Sequence, residues 1–135
     1  MSEASRQVGI VLVSHSRQVA ESVAHMALGL AGGVAVPVAP AGGAGDGGLG
    51  TSSELIAEAA HRVDRGAGVA VLADLGSAVL TVRTLLAEDE LPPGTRLVDA
   101  PFVEGAVAAV VTASTGADLE AVAAAATEAY DYRKL

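Results

Sequence analysis

Val8-Gly9-Ile10-Val11-Leu12-Val13 carries no polar side chain, and it runs straight into Ser14-His15-Ser16. A continuous apolar run of this length suits a strand buried on both faces, as in a parallel sheet covered by helices. A helical pattern follows at once, with Val19, Val23, Met26, Ala27 and Leu30 on one face and Ser14 or Ser16 available to cap its start. A strand that delivers His15 to the start of a helix places an imidazole at the carboxyl edge of a sheet. Open α/β proteins bind their ligands at that edge. His25 falls on the opposite side of the same helix, as a solvent residue.

The remaining segments repeat the alternation. Val34-Ala35-Val36-Pro37-Val38 reads as a second strand, and Pro37, which cannot donate to a ladder, makes it an edge strand. Ala39 to Gly50 is a glycine-rich loop. Thr51-Ser52-Ser53-Glu54 matches a capping box, opening a helix that turns Leu55, Ile56, Ala59, Ala60 and Val63 inward and His61 outward. Val69 to Ala73 is a third strand, ending in Asp74-Leu75-Gly76-Ser77, and a helix from about Ala78 to Ala87 follows. Pro92-Pro93-Gly94 is a turn, and Arg96-Leu97-Val98 is a short fourth strand. Two alanine-rich helices split at Thr115-Gly116 close the chain, with Asp118 and Glu120 in the first turn of the last, where the helix dipole favours acids.

Strands alternating with helices predict an α/β fold. We expect a single-domain open parallel sheet over residues 1–135, with four strands in the order 2-1-3-4 and helices on both faces. This order makes strands 1 and 3 neighbours and places the topological switch point there. His15 and Asp74, far apart in sequence, then meet just beyond the carboxyl ends of those strands.

Composition removes several function classes. No cysteine is present, which excludes disulfides, thiolate metal sites and cysteine nucleophiles, and three histidines are too few for a histidine-rich metal site. No metal site is expected. A formal charge of −8 disfavours nucleic acid and anionic membrane surfaces as partners. The apolar runs fall short of a membrane span, and the polar start, Met1 to Gln7, lacks the apolar core of a leader, so a cytoplasmic protein is expected. Aromatic side chains are limited to Phe102, Tyr130 and Tyr132, so the core is built from Val, Leu, Ile and Ala.

A neutral imidazole is a nucleophile near neutral pH. At a helix start, unpaired N–H groups and the dipole favour the neutral ring and would stabilise a phosphoryl group attached to it. Asp74, on the other ring nitrogen, would fix the tautomer and balance the charge formed as the ring attacks. The Gly76 and Ser77 amides, at the next helix start, are candidates for phosphate oxygens. Gly43-Ala44-Gly45-Asp46-Gly47-Gly48 fits the letters of a dinucleotide fingerprint, but it follows the wrong strand and reads as a loop. No G-x-S-x-G elbow accompanies the serines, and the acids and late lysine of an aspartate-phosphorylated receiver are absent.

Five segments occur in an order and spacing that carry a family resemblance. They are Ile10 to Ser16, Gly50-Thr51, Asp74-Leu75-Gly76-Ser77-Ala78, Ala100-Pro101-Phe102-Val103-Glu104-Gly105 and Ala113 to Asp118. Together they resemble the phosphotransferase subunit (DhaM type) of the bacterial dihydroxyacetone kinase, whose first domain is similar to the mannose-type EIIA domains of the sugar phosphotransferase system. The resemblance implies that His15 accepts a phosphoryl group, derived from phosphoenolpyruvate, from the phosphocarrier HPr. It implies that His15 then passes this group to ADP held on a nucleotide-binding kinase subunit. No bound cofactor is implied. By position, His15 is the phosphohistidine, Asp74 orients it, Gly76 and Ser77 face the phosphate, and Thr51 is a further phosphate contact. Pro101, Glu104 and Gly105 match the pattern without an assigned chemical role. A homodimer and a separate HPr are expected. The alternatives are an EIIA component of a sugar permease and a non-catalytic regulatory module of the same fold.

Overall fold

Strand β1 (Gly9–Ser14) is buried at every position, as its apolar run requires. In the computed structural model, which describes residues 6–135, it lies at the centre of a four-stranded parallel sheet in the order β2-β1-β3-β4. The other strands are β2 (Val38–Gly42), β3 (Val69–Ala73) and β4 (Thr95–Leu97). Met1 to Ser5, part of the polar start, lie outside the described residues. The expected strand order and parallel pairing are both found.

Alternate residues of the strands feed two cores. Ile10, Leu12, Ala70 and Leu72 pack against α1 (Arg17–Leu30), α4 (Phe102–Ser114) and α5 (Leu119–Glu128). Val11, Val13 and Val71 pack against α2 (Ser53–Val63) and α3 (Gly76–Ala87) on the other face. Each fully buried Ile or Leu contributes about 1.5–3 kcal/mol through apolar burial, so the two layers clamp β1 and hold its end, His15, in place. Among the described residues no helix is long and apolar enough to cross a membrane.

The second strand corrects the sequence reading. It is Val38–Gly42, not Val34–Val38. Register pairs Val38 with Ile10 and Pro40 with Leu12, while Val34 stays 43% exposed in the ascent from the end of α1. The strand is built from Ala and Gly because helices approach it closely, and that composition hides its β character. The edge proline within it is Pro40, and Pro37 instead offers its carbonyl to the Ile10 N–H at 2.9 Å.

Helix α1 is rotated from its expected face. Ala20, Val23, Ala24 and Ala27 are buried, whereas Val19, Met26 and Leu30 are exposed. Small side chains let the helix sit close to the sheet, and the larger apolar ones are left outside. Leu55 of α2 is likewise at the surface. The capping box also shifts by one residue: Ser52, not Thr51, caps α2 by accepting the Leu55 N–H at 3.2 Å, which releases the Thr51 hydroxyl. Asp118 is the N-cap of α5 rather than a first-turn acid, accepting the Ala121 N–H at 2.9 Å.

Candidate functional site

The carboxyl ends of β1 and β3 bring His15 and Asp74 together. The Asp74 N–H donates to the Val13 carbonyl at 3.0 Å, which continues the β1–β3 ladder one residue past the strands and fixes the backbone of both site residues. Their side chains retain 24% and 17% exposure, enough for contact with a partner.

Four donors converge on the Asp74 carboxylate. Oδ2 accepts the backbone N–H of His15 and the Ser14 hydroxyl, both at 3.0 Å. Oδ1 accepts the Leu75 N–H at 2.8 Å and lies 3.0 Å from His15 Nδ1. Burial raises the carboxyl pKa, but the His15 amide, the His15 ring and the Ser14 hydroxyl outweigh it and hold Asp74 below its ordinary 3.8. An ionised carboxylate can only accept, so His15 Nδ1 carries a proton, and in the neutral ring Nε2 then presents a lone pair.

Ser77 Oγ stands 2.6 Å from that Nε2, to which its hydroxyl donates when the ring is neutral. Ser77 occupies the first turn of α3, which starts at Gly76, two residues earlier than expected. No side chain caps this helix, and first-turn N–H groups have no intrahelical acceptor, so the Gly76 and Ser77 amides have no partner within the helix. They form the kind of anion-binding helix start that would meet phosphate oxygens.

The loop after β2 also reaches the site. Gly50, at φ +140°, turns its N–H onto the His15 carbonyl at 2.9 Å. Thr51, next in line, places its hydroxyl 3.2 Å from that of Thr81 on α3. The glycine run before it is closed on itself. The Ala44 N–H donates to the Gly48 carbonyl at 2.8 Å, the Gly47 N–H to the Ala44 carbonyl at 2.9 Å, and the Gly48 N–H to Asp46 Oδ1 at 2.8 Å. These three bonds make the run a self-closed turn rather than an open strand-to-helix loop.

The five residues singled out in the sequence thus occupy one edge: His15, Asp74 and Ser77 in direct contact, Gly76 beside them, and Thr51 joined through Thr81. Ser14 and Thr81 escaped the sequence reading. Ser14 looked like a helix cap but donates to Asp74, and the actual cap is Ser16, which accepts the Val19 N–H at 3.2 Å. Thr81 sits four residues after Ser77, one turn along α3, and that spacing was the available signal. Pro101 is the N-cap of α4, and Glu104 in its first turn pairs with Lys134 at the surface. His25 and His61 are exposed and remote; His61 Nε2 lies 3.2 Å from the Glu90 carbonyl. Among the described residues no three His, Cys, Asp or Glu cluster as a metal would require.

Fold and site together define a class: open-sheet α/β domains that hold a histidine against an aspartate at the switch point of the sheet. The family model EIIA-man, described as the PTS system fructose IIA component, matches residues 9–123, and the chain belongs to this family. The chain is similar to the phosphoryl donor subunit DhaM of PEP-dependent dihydroxyacetone kinase 2 from Listeria innocua. The two are 36% identical over 117 residues, which cover 85% of this chain and 93% of that one. It is similar also to the DhaM subunit of Escherichia coli, 36% identical over 119 residues, but spans only 25% of that longer protein. Among solved structures, a protein of unknown function, EF1359, superposes with a TM-score of 0.77 at 34% identity, covering 90% of this chain and 94% of that one.

Proposed function

We propose that this chain is a phosphoryl carrier that recharges ADP on the nucleotide-binding subunit of dihydroxyacetone kinase. The observation that carries the reading is the imidazole held between two groups, Asp74 on Nδ1 and Ser77 on Nε2. The kinase is the acceptor system because the Listeria and Escherichia relatives are named phosphoryl donor subunits of that enzyme. An EIIA component of a sugar permease is the second reading, favoured by the family description alone.

In the proposed cycle, the Nε2 lone pair attacks the phosphorus of phospho-HPr in line. A new N–P bond forms as the N–P bond to the HPr histidine breaks, and the departing imidazole keeps the electron pair. The Nδ1 proton stays on His15, and the Asp74 carboxylate offsets the positive charge of the phosphorylated ring. Ser77 must leave Nε2, which frees its hydroxyl, with the Gly76 and Ser77 amides, to bind phosphoryl oxygens. Transfer onward reverses the bond changes. A terminal phosphate oxygen of ADP attacks, the Nε2–P bond breaks, and neutral His15 returns. No cofactor of this chain takes part; the phosphoryl group comes from phosphoenolpyruvate through HPr. The encounter is placed in the cytoplasm, where HPr acts.

A homodimer is proposed as well. An apolar groove of about 370 Å³ between α1 and α4, lined by Met26, Val103, Val107 and Val111, is surface that a second copy would cover. Sedimentation velocity of the wild type and of Val107→Glu tests this, and a wild-type monomer would refute it.

Intact mass after incubation with phosphoenolpyruvate, enzyme I and HPr tests the carrier reading. One acid-labile phosphoryl group on the wild type and none on His15→Ala is the expected result. Its discharge by the ADP-loaded kinase subunit, and not by a permease component, would separate the two readings. An unlabelled wild type beside active HPr would refute the carrier role.

A further inference from the structure

Ser77 is held from two sides. Its hydroxyl lies on His15 Nε2, and its carbonyl accepts the Thr81 hydroxyl at 3.2 Å. Thr81 Oγ1 is in turn 3.2 Å from Thr51 Oγ1, and the preceding residue, Gly50, donates its N–H to the His15 carbonyl. These contacts close a ring that leaves His15 through its carbonyl, crosses Gly50-Thr51, Thr81 and Ser77, and returns to the imidazole. The bond from a helical threonine to the carbonyl four residues back is ordinary, and Thr84 makes one to Leu80 at 3.0 Å. What sets Thr81 apart is its second partner, from a different loop.

Each threonine hydroxyl has one proton. With Thr81 donating to the Ser77 carbonyl, the Thr51 proton must go to Thr81. Were a phosphoryl oxygen to take the Thr51 proton instead, Thr81 would be free to turn its own proton onto Thr51 Oγ1. The chain Thr81 to Thr51 to phosphate is then aligned donor to acceptor, and each bond polarises the next.

We infer that Thr81 is a positioning residue for phosphoryl transfer: its hydroxyl holds Thr51 and the first turn of α3 in register with the His15 imidazole and passes its hydrogen bond from Ser77 to Thr51 when the phosphoryl group arrives. This rests on the carrier reading.

The test uses Thr81→Val, Thr81→Ser, Thr51→Val and the double valine variant, with two readouts: the rate of phosphoryl uptake from phospho-HPr and the 15N shifts of the His15 ring in the unphosphorylated protein. Thr81→Val should slow uptake about tenfold, Thr81→Ser should restore it to within about threefold, and the double variant should be no slower than the worse single variant. The ring shifts should move in Thr81→Val and stay at wild type in Thr81→Ser. Uptake by Thr81→Val within about twofold of wild type, or losses that multiply in the double variant, would overturn the inference. If the wild type takes up no phosphoryl group, the carrier reading fails by itself, and unmoved ring shifts in Thr81→Val still overturn the hydrogen-bonded ring. Should Thr81→Val not fold, Thr51→Val cuts the same link from its other end.

Discussion

The Ser77 hydroxyl sits 2.6 Å from Nε2 of His15, on the ring nitrogen opposite the one that faces Asp74. The nitrogen with the free electron pair is therefore covered, in the resting protein, by a small group that a single side-chain rotation removes. Replacing Ser77 by Ala uncovers Nε2 but deletes a donor for the phosphoryl oxygens. We expect Ser77→Ala to slow uptake from phospho-HPr about tenfold, the worth of one well-placed hydrogen bond, as read by rapid-quench labelling. Unchanged or faster uptake would mean that Ser77 only shields the ring.

Asp74→Asn keeps the shape of the side chain but removes the charge and presents an amide donor or a neutral acceptor to Nδ1. Phosphoryl transfer through His15 should fall at least about 10- to 100-fold, the loss seen when a carboxylate that orients a metal-bound imidazole is removed. Rates within about threefold of wild type, a difference well under 1 kcal/mol, would remove Asp74 from the mechanism.

The same carboxylate makes the fold sensitive to acid. Its pKa in the folded protein lies below the 3.8 of the unfolded chain, so the unfolded state binds the proton more readily. Its contribution to stability is complete above the unfolded value and is lost as the pH falls through the lower, folded value. The drop in Tm between neutral pH and about pH 3 should be smaller for Asp74→Asn than for wild type. Parallel curves for the two proteins would contradict the assignment.

Gly42 ends β2 where α1 begins. A Cβ there would stand 2.5 Å from the Ser16 carbonyl oxygen and 2.6 Å from the Arg17 Cα, both backbone atoms that cannot swing aside. Gly42→Ala should cost about 1–3 kcal/mol and lower Tm by roughly 5–10 °C in thermal unfolding. Gly45→Ala, in open space three residues on, is the control and should leave Tm unchanged.

Tyr130 donates its hydroxyl to Asp99 Oδ1 at 2.8 Å, and this bond, with the nearby negative charge, holds the phenol above its ordinary 10.0. An absorbance titration should show Asp99→Asn moving the phenol back down toward 10.0, and an unmoved midpoint would mean that the contact does not persist in solution.

Much of this was legible in the residue order. Runs such as Val8 to Val13 and Val69 to Ala73, each apolar throughout and each followed by a helical pattern, leave a parallel sheet as the economical solution, and its topology brings His15 to Asp74. What sequence periodicity could not show was how closely helices approach one another. Val38–Gly42 looks like a loop because its alanines and glycine are shaped by the helices packed on them. For the same reason α1 buries Ala20 and Ala24 while Val19 and Met26 remain outside. The site was incomplete for another reason. Ser14 and Thr81 act through short polar side chains that also suit caps and helix surfaces, so their partners become visible only when the strands and helices are assembled.

Pro40 has a consequence for how this sheet meets others. The Pro37 carbonyl accepts from Ile10 and the Gly43 N–H donates to Ser14 at 3.1 Å, so along β2 the odd-numbered residues turn their polar groups toward β1. Pro40 therefore faces outward, where an incoming strand would look for a donor and find none. The opposite border, β4, is three residues long. Both borders are poor templates for a further strand, which guards the sheet against runaway growth into fibres. Helices and loops, including the edge that carries His15, are the better surfaces for contact with another protein.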